Sequence, residues 1–148
     1  MPYRTSRSAF TGATRAALAA VAVTMLLAAP ASAQSIDVTL LPDNQVPPIE
    51  GLPDTMGQFQ GEYDADTGTL TYTMGYTNLT GAPTAAHLHG PADATDNAGV
   101  LVPLDVAGEG EVTLTAEQAE QLAGGLVYVN VHTEANPDGE VRGQITME

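Results

Sequence analysis

Three histidines are the residues of this chain whose types and spacing favour chemistry. His87 and His89 form a His-x-His pair, and His132 lies in a later valine-rich segment. Side chains alternate between the two faces of a β-strand, so a His-x-His pair in a strand places both imidazoles on one face. Neutral imidazoles are good ligands for Cu(II), Zn(II) and Ni(II). If a neighbouring strand provides His132, the three histidines predict a surface site for a Cu or Zn ion.

The other donor types restrict this site. The chain has no cysteine, so thiolate ligands and disulfide bonds are both excluded. Met56, Met74 and Met147 are soft donors that suit Cu(I), although Met74 shares a strand face with Leu70 and is expected in the core. The predicted metal ligands are therefore the three histidines.

Residues beside the histidines have structural interpretations that stay open. Strand histidines also hydrogen-bond across strands or to loop carbonyl groups, and His89 precedes a Gly-Pro turn. Asn130 and Arg142 are expected to flank the histidines on the same face, as a second layer around the ion. For Arg142 the alternative is a salt bridge with an acid near the C-terminus.

Residues 1–33 have the pattern of a secretory signal peptide. Three arginines precede the almost wholly apolar segment 16–29, and Ala31-Ser32-Ala33 is a small-residue cleavage site. The apolar segment has about 14 residues, fewer than the roughly 20 that cross a bilayer. We therefore predict an exported protein, periplasmic or extracellular, with one domain at 34–148 and no membrane span after cleavage.

The predicted mature chain is strongly acidic. Arg142 is its only Lys or Arg residue against 18 Asp and Glu residues, which gives a formal charge of −17. Nucleic-acid binding requires clustered basic residues, so nucleic acid is excluded as a partner. A metal ion or an extracellular macromolecule remains as the expected partner.

The segments after the signal sequence are short, β-rich and separated by turn residues. They predict an all-β fold, a Greek-key-like antiparallel β-sandwich or small barrel. A capping box at Thr115 and Gln118 predicts one short connecting helix over 115–123. The predicted strands are 36–41, 56–63, 69–77, 85–89, 100–104, 110–114, 126–133 and 140–147.

The last predicted hairpin decides where His132 points. Asn136-Pro137-Asp138-Gly139 is a strong turn sequence between its two strands. In the first strand Val127, Val129 and Val131 share one face, and His132 lies on the opposite face. If the valines are in the core, His132 points outward, and the returning strand places Arg142 on that same outer face.

Three motifs follow one another along the predicted mature chain. They are His-Leu-His-Gly-Pro-Ala at 87–92, Gly-Leu-Val-Tyr-Val-Asn-Val-His-Thr at 125–133 and Asn-Pro-Asp-Gly-Glu-Val-Arg-Gly-Gln-Ile at 136–145. Together they resemble a known family, the chordin-type (CHRD) domain. The resemblance extends from about Ile36 to Ile145, and its C-terminal third is the most specific part. It implies an extracellular β-rich domain, of the kind found in the developmental antagonist chordin and in many bacterial exported proteins.

The expected function is that of an exported binding protein without enzymatic activity, with His87, His89 and His132 as metal ligands. A purely structural or protein-interaction module without metal is the alternative, and Tyr63, Tyr76 and Tyr128 are its candidate exposed patch. A copper or zinc enzyme resembling superoxide dismutase is a further alternative. Such a copper site takes four imidazoles, whereas this chain has three. A zinc hydrolase needs a general base, which no motif identifies among the neighbouring acids.

Overall fold

Two four-stranded antiparallel sheets pack face to face in the computed structural model, which describes residues 33–147. The first sheet has the order β1-β2-β3-β6 and the second has the order β5-β4-β7-β8. This arrangement confirms the predicted β-sandwich, and neither sheet closes into a barrel. The strands are β1 Gln34–Leu40, β2 Met56–Asp64, β3 Thr69–Thr77, β4 Pro83–His89, β5 Val100–Leu104, β6 Glu109–Thr113, β7 Tyr128–Thr133 and β8 Val141–Gln144.

The chain passes between the sheets three times, after β3, after β5 and after β6. The last passage contains the helix α1, Ala116–Ala123, which begins with the predicted capping box. Thr115 Oγ1 accepts a hydrogen bond from the backbone N–H of Gln118, and the Gln118 side chain accepts one from the N–H of Thr115. Leu122 is the buried residue of this helix and attaches it to the core.

Alternation along the strands builds the core between the two sheets. Leu40, Phe59 and Leu70 point inward from the first sheet and are fully buried. Val129 and Val131 meet them from β7, as the predicted valine face requires. The other face of β7 therefore points away from the core, and that is the face of His132.

The predicted element bounds differ from the structure mainly at their ends. The last strand ends at Gln144 rather than at Met147, although the N–H of Ile145 still donates a hydrogen bond to the carbonyl oxygen of Val127. The first residue of β7 is Tyr128 rather than Leu126. The predicted signal peptide, apart from Ala33, lies outside the described residues. Within residues 33–147, no helix has the length and apolar character of a membrane span.

Gly143 lies where β8 approaches β1, and the space there is too small for a side chain. We therefore expect a substitution at Gly143 to lower the stability of the fold. A Cβ atom there would lie 2.7 Å from Leu40 Cδ2 and 2.8 Å from the carbonyl oxygen of Thr39. Both neighbours belong to a packed strand, so Gly143→Ala is expected to lower the free energy of unfolding by about 2 kcal/mol. Gly75→Ala is the matched control in β3, because its Cβ would have no heavy atom within 4 Å. Urea denaturation of both variants measures the difference, and equal midpoints would contradict the prediction.

Candidate metal centre

The pairing of β4 with β7 brings the three histidines together. The register places Ala85 opposite His132 and His87 opposite Asn130. His132 is thus the diagonal neighbour of His87 on the outer face of the second sheet, and diagonal neighbours are within reach of long side chains. His87 and His89 point to the same side because they are two residues apart.

The three imidazoles form one cluster. One ring nitrogen from each histidine lies within 4.8 Å of the other two. Nδ1 of His87 lies 3.1 Å from Nε2 of His132. The ring centroid of His87 lies 5.0 Å from that of His132 and 5.5 Å from that of His89. Within residues 33–147, this is the one group of histidine and carboxylate side chains close enough to hold an ion.

Two backbone carbonyl groups determine the tautomers. Nδ1 of His89 lies 3.0 Å from the carbonyl oxygen of Ala98, and Nδ1 of His132 lies 2.9 Å from that of Pro137. A carbonyl oxygen only accepts, so each Nδ1 must carry the proton. In the neutral rings, Nε2 of both histidines is therefore the nitrogen without a proton, and it has the lone pair. A hydrogen bond from the other ring nitrogen to a carbonyl is how metal-binding histidines are usually oriented.

Nε2 of His89 is buried and has no hydrogen-bond partner among the described residues. Leaving a buried polar atom unpaired costs roughly 1–3 kcal/mol. An acceptor in this position needs a proton donor or a metal ion to complete it. Since His89 belongs to the same cluster as His87 and His132, the donor set fits a metal ion.

The ring environments favour neutral imidazoles at His87 and His89. Burial lowers the pKa of His87, and the neighbouring rings of His132 and His89 lower it further. Burial also lowers the pKa of His89, more than its hydrogen bond to Ala98 raises it. Neutral imidazole is the form that binds a metal ion. The lowered pKa values therefore favour the metal-binding form of both rings at neutral pH.

The predicted surface position of the histidines needs correction, because His89 and His132 are each only 8% exposed. They lie on the outer face of the sheet, but the loop at 90–99 and the turn at 134–139 cover them. The contacts from Ala98 and Pro137 described above come from these two segments. His87 is partly exposed and is the most accessible ring of the three.

Asn130 lies opposite His87 in the pairing of β4 with β7 and is 4% exposed. Its Oδ1 accepts a hydrogen bond of 2.8 Å from Gln45 Nε2. Its amide nitrogen donates to the carbonyl oxygen of Asp138 at 3.2 Å. Asn130 therefore ties the segment near Gln45 to the turn that contains Pro137, and its contacts are structural.

Arg142 also lies on this face, in register with Asn130, and is 1% exposed. Among residues 33–147 its hydrogen bonds go to carbonyl oxygens and not to an acid near the C-terminus, which was the predicted alternative. The guanidinium donates to the side-chain carbonyl of Asn97 and to the backbone carbonyls of Asp93 and Asp96, at 2.9–3.0 Å. All three acceptors belong to the loop that covers His89.

The soft donors and the tyrosine patch are not at this site. Met56 and Met74 belong to the opposite sheet, and Met147 bridges to β1 of that sheet. Of the three tyrosines expected in an exposed patch, Tyr63 and Tyr128 are buried and Tyr76 packs partly against the core. The predicted patch is therefore wrong, because alternation turns Tyr63 inward and the 90–99 loop covers Tyr128.

A cavity of about 550 Å³ opens next to His89. It is lined by His89, Tyr128 and Asn130, and by residues of the segment 45–49 and the turn 135–139. The sequence predicted the turn at 136–139, but not that these segments cover the histidines. The contacts of backbone carbonyl groups and the positions of loops cannot be predicted from residue types, because every residue has a carbonyl group.

Comparison with known proteins gives one family. The family model described as the CHRD domain matches residues 36–145, which is most of the chain. Neither a curated protein nor a solved structure matches the chain. The matched range includes all eight strands except the first residues of β1, and it contains the three histidines.

Proposed function

The chain belongs to the CHRD domain family, and we propose that it is an exported, non-enzymatic binding protein for Cu(II) or Zn(II), with His87, His89 and His132 as the ligands. Export rests on the signal-peptide pattern of residues 1–33. Metal binding rests on the histidine cluster.

The observation that carries the proposal is the convergence of three imidazoles, and in two of them a backbone carbonyl holds the proton on Nδ1. The unpaired Nε2 of His89 supports it. In the metal-free protein, Nδ1–H of His87 donates a hydrogen bond to Nε2 of His132. The direction follows because the proton of His132 is on Nδ1, so its Nε2 can only accept. Metal binding at His132 displaces this hydrogen bond.

The donor set favours divalent Cu or Zn. Imidazole suits these ions, whereas Ca²⁺ and Mg²⁺ require oxygen ligands. Three protein ligands leave at least one position for water or another small ligand. The cavity beside His89 is a route by which an ion reaches the cluster.

Binding without catalysis agrees with the neighbouring residues better than the enzyme alternatives. The chain has three histidines, fewer than the four imidazoles of a dismutase copper site. A zinc hydrolase would need a general base, but Asp93 of the neighbouring loop uses its carboxylate to accept hydrogen bonds from the N–H and hydroxyl of Thr95. The interaction-module alternative would need an exposed surface other than the three tyrosines.

Isothermal titration of the purified protein with Zn(II) and Cu(II) tests the proposal. We expect one ion per chain and a dissociation constant below about 1 µM for at least one of the two metals. Titration with Ca²⁺ is the control for diffuse attraction to the acidic surface, and it should show no site of comparable strength. Binding of both transition metals weaker than about 1 µM would overturn the proposal.

A further inference from the structure

Arg142 is the one Lys or Arg residue of the predicted mature chain, and it is buried without an acidic hydrogen-bond partner among the described residues. Its planar guanidinium instead donates to three carbonyl oxygens within residues 93–97. Burying a charged group is costly unless its hydrogen bonds are satisfied, so this contact must fix the loop closely. Asn97 is further held by donation from its amide to the carbonyl oxygen of Val46.

Tyr128 joins Arg142 to His89. The guanidinium carbon lies 3.6 Å from the centroid of the Tyr128 ring, a cation–π contact. The His89 ring stacks on Tyr128 with an interplanar angle of 8° and centroids 5.0 Å apart. Since β4 and β8 flank β7, Tyr128 lies between the strands that contain His89 and Arg142.

The held loop ends at the residue that sets the His89 tautomer. Ala98 follows directly after Asn97, and its carbonyl oxygen accepts a hydrogen bond from Nδ1–H of His89. The Tyr128 hydroxyl fixes the same peptide segment, because it accepts from Ala98 N–H at 3.1 Å and lies 3.3 Å from the Ala98 carbonyl oxygen. Arg142 therefore reaches His89 by two routes, through the loop and through the aromatic stack.

We propose that Arg142 is a positioning residue that holds the 93–98 loop against Tyr128, so that Ala98 keeps His89 in the tautomer that offers Nε2 to the ion. The inference rests on the proposed metal-binding function. Arg142 itself contacts no ligand atom of the site. Its effect on the metal is transmitted through the orientation of His89.

Arg142→Lys and Arg142→Met test the proposal in the full-length chain. Lysine keeps the charge but loses the planar fork, and methionine keeps only the apolar stem. Both variants are expected to bind Zn(II) about 10–100-fold more weakly, as changes around metal-binding histidines usually do. Ala94→Ser is the matched control, because it alters an exposed side chain of the same loop that takes no part in the Arg142 contacts. It should bind Zn(II) within about 2-fold of the wild type.

Imidazole ¹⁵N NMR of the metal-free protein gives a readout that loss of packing alone does not change. We expect wild-type His89 to show the Nδ1–H tautomer, and the Arg142 variants to show exchange between tautomers. Tyr128→Phe is the second variant, in case the Arg142 variants do not fold. It keeps the ring but removes the hydroxyl bonds to Ala98, and we expect the same change in smaller degree.

The outcomes separate the two proposals. If wild type binds Zn(II) and the folded variants bind equally well with an unchanged His89 tautomer, the positioning role is wrong. If wild type binds neither Zn(II) nor Cu(II) but its His89 tautomer is lost in the variants, metal binding fails and the positioning role stands.

Discussion

Replacing His132 by alanine is expected to weaken Cu(II) or Zn(II) binding by at least about 100-fold. The substitution removes one of three nitrogen donors, which is a larger change than the loss of a residue around the ligands. It also leaves Nδ1 of His87 without its partner. Isothermal titration measures the loss directly. Thermal unfolding gives a second measure, because metal at 100 times its dissociation constant stabilises the wild type by about 2.7 kcal/mol.

His87→Ala and Glu134→Gln complete this experiment. The His87 ring bonds only to His132 among the described residues, so its removal affects the ion with little effect on the fold. Glu134 is exposed and lies in the turn next to His132, so Glu134→Gln should bind metal as the wild type does. Folded His132→Ala protein that binds the ion with unchanged affinity would exclude His132 as a ligand.

Much of the site follows from sequence periodicity. The His-x-His spacing and the alternation in β7 place the three histidines on the outer face of their strands. The adjacency of β4 and β7 then brings their rings together. Strand alternation is reliable here because one face is apolar and must enter the core. The pairing partner of β4 does not follow from periodicity, since any neighbouring strand would satisfy the same pattern.

Burial of the site was not predictable from the same patterns. An outward-facing strand residue is expected to meet solvent, yet His89 and Arg142 are covered by segments that are distant in sequence or irregular. The carbonyl oxygens of Ala98 and Pro137 set the histidine tautomers, and a carbonyl oxygen is common to every residue type. Arg142 was identifiable as unusual because it is one cation among many acids, but its partners were not.

Removing the carboxylate of Glu140 is expected to have the largest effect on stability. Glu140 is fully buried, and both its oxygens accept hydrogen bonds. The donors are the N–H and hydroxyl of Thr80, the hydroxyl of Thr133 and the amide of Asn136. Glu140→Ala leaves these donors unpaired, so we expect the free energy of unfolding to fall by about 4 kcal/mol. Urea denaturation of the metal-free protein measures it, and a loss below about 1 kcal/mol would contradict the prediction.

The pH dependence of stability separates the charge of Glu140 from its shape. Burial raises the pKa of Glu140, but the hydrogen bonds from Thr133, Thr80 and Asn136 together lower it below its ordinary value of 4.5. Since the folded-state pKa is the lower one, the stabilisation is present above pH 4.5 and is lost as the pH falls through the folded-state value. Glu140→Gln keeps the side-chain shape but cannot ionise. Its stability deficit relative to wild type should therefore be constant between pH 5 and 7 and shrink below pH 4.5. A deficit that stays constant down to the acid unfolding of both proteins would show that the hydrogen bonds at Glu140 do not depend on its charge.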